Sequence, residues 1–163
     1  MDTRQAIADG INMGKMVCMA YLGDLTDEEM MRRPHPQCNH INWQVGHLIA
    51  SEHGMIEASV PGSMPALPAG FEEKYAKDKS TSDKPSDFLP KQELMSIFET
   101  QRAATLAALE KLSDEQLEQP GPEAMRAYIP KVGSAFNMQA SHWLMHCGQW
   151  VVVRRELGRE ILM

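Results

Sequence analysis

The sequence predicts an all-α fold: a four-helix bundle with long connections and short extra helices, in a single domain covering residues 1–163. Three observations predict it. Apolar residues recur at helical spacing in four long segments, strand-like alternation is nearly absent, and Pro/Gly-rich breaks separate the segments. A chain of 163 residues has the size of one domain and buries a sizeable core without staples.

The first predicted helix covers 3–22, with Ile7, Ile11, Gly14, Cys18, Tyr21 and Leu22 on one stripe. Gly10 and Gly14 each cost about 1 kcal/mol relative to Ala, which reads either as close approach by a neighbouring helix or as a tolerated imperfection. The run Thr26-Asp27-Glu28-Glu29 reads as a capping box over a short helical turn that Pro34 and Pro36 end. Asn39 or a neighbour then caps a second helix over 41–58, closed by Pro61-Gly62. Residues 61–90 hold five prolines, with Gly62, Gly70 and a polar run from Lys77 to Lys84, and so predict a long irregular connection. Pro90 suits the first turn of a third helix running to Leu112, with Leu94, Ile97, Phe98, Thr105, Ala108, Leu109 and Leu112 as its stripe. Ser113-Asp114-Glu115-Gln116 is a second capping box, and Pro120-Gly121-Pro122 breaks the chain again. The fourth helix is expected over 133–157, with Gly158 in the position that ends it.

Charge and composition exclude several function classes. The net charge of −6 has no basic block behind it, the densest cationic spots being Arg32-Arg33 and Arg154-Arg155, so nucleic acid is not an expected partner. The start, MDTRQAIADG, lacks a cationic region followed by an apolar run, and later apolar stretches fall short of the ~20 residues of a membrane span. A soluble, cytoplasmic protein with no membrane partner is expected. Cys18, Cys38 and Cys147 cannot all pair and show no CxxC spacing, which suits a reducing compartment.

The six histidines carry the chemistry. His142 and His146 stand one turn apart in NMQASHWLMHCGQWVVV, on a face with Ala135, Met138, Gln149, Val153 and Leu157, so both are expected to point into the core as half of a metal site. His47 lies inside the second helix, about 140° from the middle of its main stripe of Ile41, Val45, Leu48, Ile49 and Ile56 at ~100° per residue. It fits inward only if that helix is buried on two sides, along Trp43, His47, Ala50, Gly54 and Ala58. His35 and His40 in their proline-bounded loop read as polar surface, and His53 as solvated. On residues alone, both a metal site and a set of hydrogen-bonded core histidines fit the pattern. Gln139 and Gln149 share the histidine face and read either as groups that orient a ligand ring or as ordinary polar caps, Trp150 as a pocket wall, and Cys147 as a small buried hydrophobe.

NHINWQVGHLIASEHG in the second helix, followed by HWLMHCGQWVVVRRELGR in the last, resembles the DinB/YfiT-like family of metalloenzymes, and the similarity runs over nearly the whole chain. The resemblance implies a four-helix bundle with a three-histidine site, whose metal ligands here would be His47, His142 and His146. It implies one divalent metal ion, nickel, zinc or iron, with open positions for a small-molecule substrate. It also implies a low-molecular-weight thiol such as bacillithiol, mycothiol or glutathione as co-substrate, transferred to a small electrophile. A metal-dependent hydrolase and a non-catalytic metal-binding stress protein are the two other readings, and a homodimer is the implied assembly.

The spacing excludes other metal chemistry. HWLMH has Trp143 where HExxH carries its general-base Glu, which disfavours a zincin-type protease. Gln139 stands where a di-iron carboxylate bundle needs Glu, so a mononuclear site is expected. No catalytic acid or base stands out.

Overall fold

The computed structural model describes residues 2–161. Its helices are α1 (Thr3–Gly23), α2 (Asp27–Met30), α3 (Ile41–Ser59), α4 (Phe71–Lys74), α5 (Lys91–Glu110), α6 (Asp114–Leu117) and α7 (Val132–Glu156), with 3-10 turns at Lys77–Lys79, Pro85–Asp87 and Glu123–Met125. The four long helices are the predicted ones, and no strand occurs among the described residues.

Contacts between side chains and neighbouring helices give the directions. Arg4 donates to Leu112 O and Arg102 to Ile11 O, so α1 and α5 run antiparallel. Asn42 donates to Leu89 O near the start of α3, and Glu52 meets Arg102 further along, so α3 and α5 run parallel. Trp150 reaches Gln44 and Trp143 reaches Glu52, which makes α3 and α7 antiparallel. The bundle is therefore up-down-down-up. A down-down pair needs a return connection along a bundle ~30 Å long, and that is the task of residues 61–90.

This crossover is more structured than expected. It contains α4 and two 3-10 turns, and it buries Phe71, Tyr75 and Phe88 in the core. The Tyr75 hydroxyl donates to Asn42 Oδ1 at 3.2 Å and accepts the Leu89 N–H at 3.0 Å, while the Trp43 indole donates to Ala76 O at 3.2 Å. Gly46 admits it: a Cβ there would stand 2.1 Å from the Tyr75 ring. The prolines suppress regular structure locally, but three aromatic anchors fold the segment down onto α3.

The glycines of α1 admit a neighbour inside the chain. A Cβ on Gly14 would lie 3.3 Å from Ala140 Cα and O, so α1 packs closely on α7. Both capping boxes form, Thr26 with Glu29 and Ser113 with Gln116. The end of α7 is a Schellman motif, with Gly158 at φ 67° and the N–H groups of Gly158 and Arg159 on the carbonyls of Arg155 and Arg154. The cap of α3 is the expected neighbour of Asn39, but its burial departs from expectation. His40 is 0% exposed and is itself the cap, its Nδ1 accepting the Trp43 N–H at 3.0 Å. A loop histidine becomes buried here because Phe88 of the crossover packs on its ring, at 4.7 Å between centroids. No described helix is long and apolar enough to cross a membrane.

Candidate metal centre

His47 comes from the second turn of α3 and His142 and His146 from the middle of α7. Ring centroids are 5.5 Å apart for His47 and His142, 5.8 Å for His47 and His146, and 5.1 Å for His142 and His146. One nitrogen from each lies within 4.8 Å of the others, and all three rings are half-buried. The difficulty over His47 resolves as the sequence required. Every residue from Ile41 to Gly46 is buried, because α7 covers one side of α3 and the crossover another. Trp43, one turn before His47, stacks on its ring at 5.0 Å with 4° between planes and holds it toward α7.

One expectation about α7 needs correcting. The buried stripe of this helix is Val132, Ala135, Phe136, Gln139, Trp143, Cys147, Trp150, Val153 and Arg154. Met138, His142, His146 and Gln149 are half-buried beside it. The histidines therefore flank the core seam, roughly 40–80° round from its centre, and do not point into its middle. Hydropathy hides the true seam because its members include two indoles, a glutamine and an arginine. The consequence is chemical: the imidazoles are half-buried at the α3/α7 seam and are not sealed inside the core.

Gln44, which sequence reasoning did not single out, organises the cluster. Its Oε1 lies 2.9 Å from His146 Nδ1 and accepts the Trp150 indole N–H at 2.9 Å. An indole N–H only donates, so the shared atom is a carbonyl oxygen and His146 Nδ1 carries the proton. The lone pair of His146 is thereby left on Nε2, free for a ligand. The Gln44 amide donates to Asn39 O at 2.6 Å and to Gln149 Oε1 at 3.2 Å, so Gln149 steadies Gln44 and, among the described residues, hydrogen-bonds to no imidazole. Trp150 is 0% exposed and is a donor to Gln44, not a pocket wall. The one signal that pointed to Gln44 was a polar residue within the buried first turns of α3.

The remaining candidates fall outside the cluster. His35 Nδ1 accepts the Gln37 N–H in its loop, and His53 is paired with Gln101 at 3.1 Å instead of being solvated. Cys147 is buried against Cys18, whose thiol donates to it; this contact raises the Cys18 thiol, with burial adding, and lowers that of Cys147 against burial. Gln139 is buried, with its amide donating to Ala135 O at 2.8 Å and its Oε1 unpartnered.

Burial pushes His142 down from 6.5 to about 4, with His47 adding to the effect. His146 falls to about 4 through burial, then through His142 and His47, and burial lowers His47 as well. No carboxylate or other charged side chain contributes to any of the three shifts. At neutral pH the cluster is three uncharged imidazoles, the protonation state a metal requires. Two features fit a cation here. The buried His142 Nδ1 has no hydrogen-bond partner, and metal–imidazole bonds of about 2.0–2.1 Å place ligand nitrogens ~3–4 Å apart, inside the observed span.

The DinB superfamily profile matches residues 15–150, which takes in all three histidines. No curated protein matches the sequence significantly. The chain is similar to a solved structure described as the conserved protein of locus from Enterococcus faecalis. The TM-score is 0.72 at 20% identity, over 98% of this chain and 99% of that one. At that identity the likeness concerns the fold.

Proposed function

Because the chain belongs to the DinB superfamily, and its His47, His142 and His146 stand together as uncharged imidazoles, we propose that it is a mononuclear, divalent-metal enzyme transferring a low-molecular-weight thiol to a small electrophile. The observation that carries this reading is the donor set. Three neutral ligands on one side of an ion are the pattern of an open site, and with no carboxylate among them they leave the charge of the ion uncompensated. A divalent cation held there supplies Lewis acidity that favours the ionised form of a thiol at neutral pH. The protein then needs no general base of its own, which agrees with a cluster that has none among its described partners.

The chain's own residues supply position and surroundings. His47, His142 and His146 would hold the ion, Gln44 fixes the tautomer of His146, and the Trp43 ring backs His47. Half-buried imidazoles at the α3/α7 seam suit a small-molecule substrate. Nickel, zinc and iron all accept imidazole ligands.

The test begins with metal content by mass spectrometry on untagged protein, wild type beside His142→Ala. About one divalent ion per chain, lost in the variant, is expected. Loaded protein is then mixed with glutathione, bacillithiol or mycothiol and a chromogenic electrophile. Metal-dependent consumption of the thiol supports the transfer, ester hydrolysis without any thiol points to a hydrolase, and metal binding without turnover of either kind refutes the enzymatic reading.

A further inference from the structure

At the centre of the bundle Glu52 of α3 and Arg102 of α5 are each 1% exposed and pair at 2.7 Å. The carboxylate is fully used: Oε2 accepts from Arg102 Nη2 and from the Trp143 indole at 3.2 Å, and Oε1 accepts from the Thr105 hydroxyl at 2.8 Å. The guanidinium lies over the rings of Phe98 and Trp143, at 5.2 and 5.6 Å from their centroids. Desolvation offsets most of what a buried ion pair gains, so stability alone is a weak reason for one. What this pair holds is Trp143, the residue after His142.

The other end of the cluster repeats the device, since the Trp150 indole donates to Gln44. Helix α7 thus offers two indole donors two turns apart, and antiparallel α3 offers two acceptors, Gln44 and Glu52, at matching heights. His47 lies between the acceptors in sequence, His146 lies between the indoles, and His142 adjoins Trp143. A one-residue slip of α7, ~1.5 Å along its axis, would break both bonds.

We propose that Glu52 and Trp143 are positioning residues for the three-histidine cluster: the buried carboxylate, by holding the Trp143 indole, fixes the register of α7 on α3 and sets the spacing of the imidazoles before any cation arrives. The consequence for metal binding rests on the function proposed above, whereas the register belongs to the metal-free protein. Trp143→Phe removes the donor and leaves Glu52 with Arg102 and Thr105. Spin labels on Ala58→Cys and Ser141→Cys, in a Cys38→Ser background, report the α3 to α7 distance by pulsed electron paramagnetic resonance. A narrow distribution is expected in metal-free wild type and a broadened or displaced one in Trp143→Phe, with unchanged far-ultraviolet dichroism. Cobalt(II), read by its visible bands, should bind the variant at least about tenfold more weakly. Equal distance distributions overturn the proposal, as does unchanged cobalt affinity in a folded variant. Wild type that takes up no cobalt while the distances still broaden defeats the metal reading and leaves the register device standing. Should Trp143→Phe not fold, Glu52→Leu with Arg102→Met removes the same acceptor without stranding a charge, and is read by the same criteria.

Discussion

Gln44 is 1% exposed and its Oε1 takes two N–H donors, from His146 and Trp150, so a leucine at this position would strand both. An unpaired buried donor costs about 1–3 kcal/mol, and losing the partner of a ligand histidine typically weakens metal binding 10–100-fold. Gln44→Leu is accordingly expected to bind the metal at least tenfold more weakly while His47→Ala abolishes binding. Isothermal titration of both beside wild type checks this, and a Gln44→Leu protein with wild-type affinity would refute the tautomer argument. His40 makes a prediction about acid. Its Nδ1 accepts a backbone N–H, so the ring caps α3 only while uncharged, and burial pushes it down to about 4, with Arg33 adding. Its folded pKa lies below the unfolded 6.5, so between those values the unfolded chain binds more protons and stability falls as pH falls. At pH 4.5 the loss from this one group is about 2 kcal/mol relative to pH 7. His40→Asn keeps a capping acceptor without the titration. Urea unfolding of metal-free protein at both pH values should therefore show a smaller acid loss in the variant, whose remaining slope includes His142 and His146.

At the scale of elements, the crossover and α3 are fitted to each other at Gly46. A methyl group there would lie 2.1 Å from the Tyr75 ring, nearer than any real contact, so either the ring or α3 must move. Gly46→Ala gains about 1 kcal/mol of helix propensity and loses the Tyr75 packing and its two hydrogen bonds. A net destabilisation of about 2 kcal/mol or more is expected in chemical denaturation, and a stabilised variant would show that the crossover is not seated on α3. Elements of this kind divide what was legible in the sequence from what was not. Periodicity and capping boxes write themselves locally, which is why α1, α3, α5 and α7 and the turns at Thr26 and Ser113 could be read directly. The three histidines were legible through helical spacing together with family resemblance, since spacing alone left His47 facing away from its stripe. Gln44, Glu52 and Arg102 were not legible, because each acquires its role from partners about 50 to 106 residues away, and an isolated polar residue in an amphipathic helix looks like surface. The seam of α7 was misread by one position for a related reason: Trp143 and Trp150 bury their rings while spending their N–H groups on polar partners.

For the whole molecule, the up-down-down-up order places α7 between α1, on which Gly14 and Ala140 pack closely, and α3, on which the histidines and indoles close. The histidine cluster bridges the second of these seams, joining residues about 100 apart in sequence, and a ligand held by all three rings cross-links the folded state alone. Metal binding should therefore stabilise the entire domain and not merely order a loop. By mass action, free metal at 100 times its dissociation constant adds about 2.7 kcal/mol, which for a chain of this size raises the melting temperature by roughly 5–10 °C. The shift should grow with metal concentration in wild type, vanish in His142→Ala, and shrink as pH falls toward the imidazole values of about 4, where protons compete for the same lone pairs. Differential scanning calorimetry with and without added zinc, at pH 7 and at pH 4, measures all three. Because Arg154 ties α7 to Tyr21 O and Asp24 at the far end of the bundle, the unfolding transition is expected to remain single in both forms. A metal-induced second transition would mean that the α3/α7 seam melts independently of the α1/α7 seam, and the cross-linking account would fail.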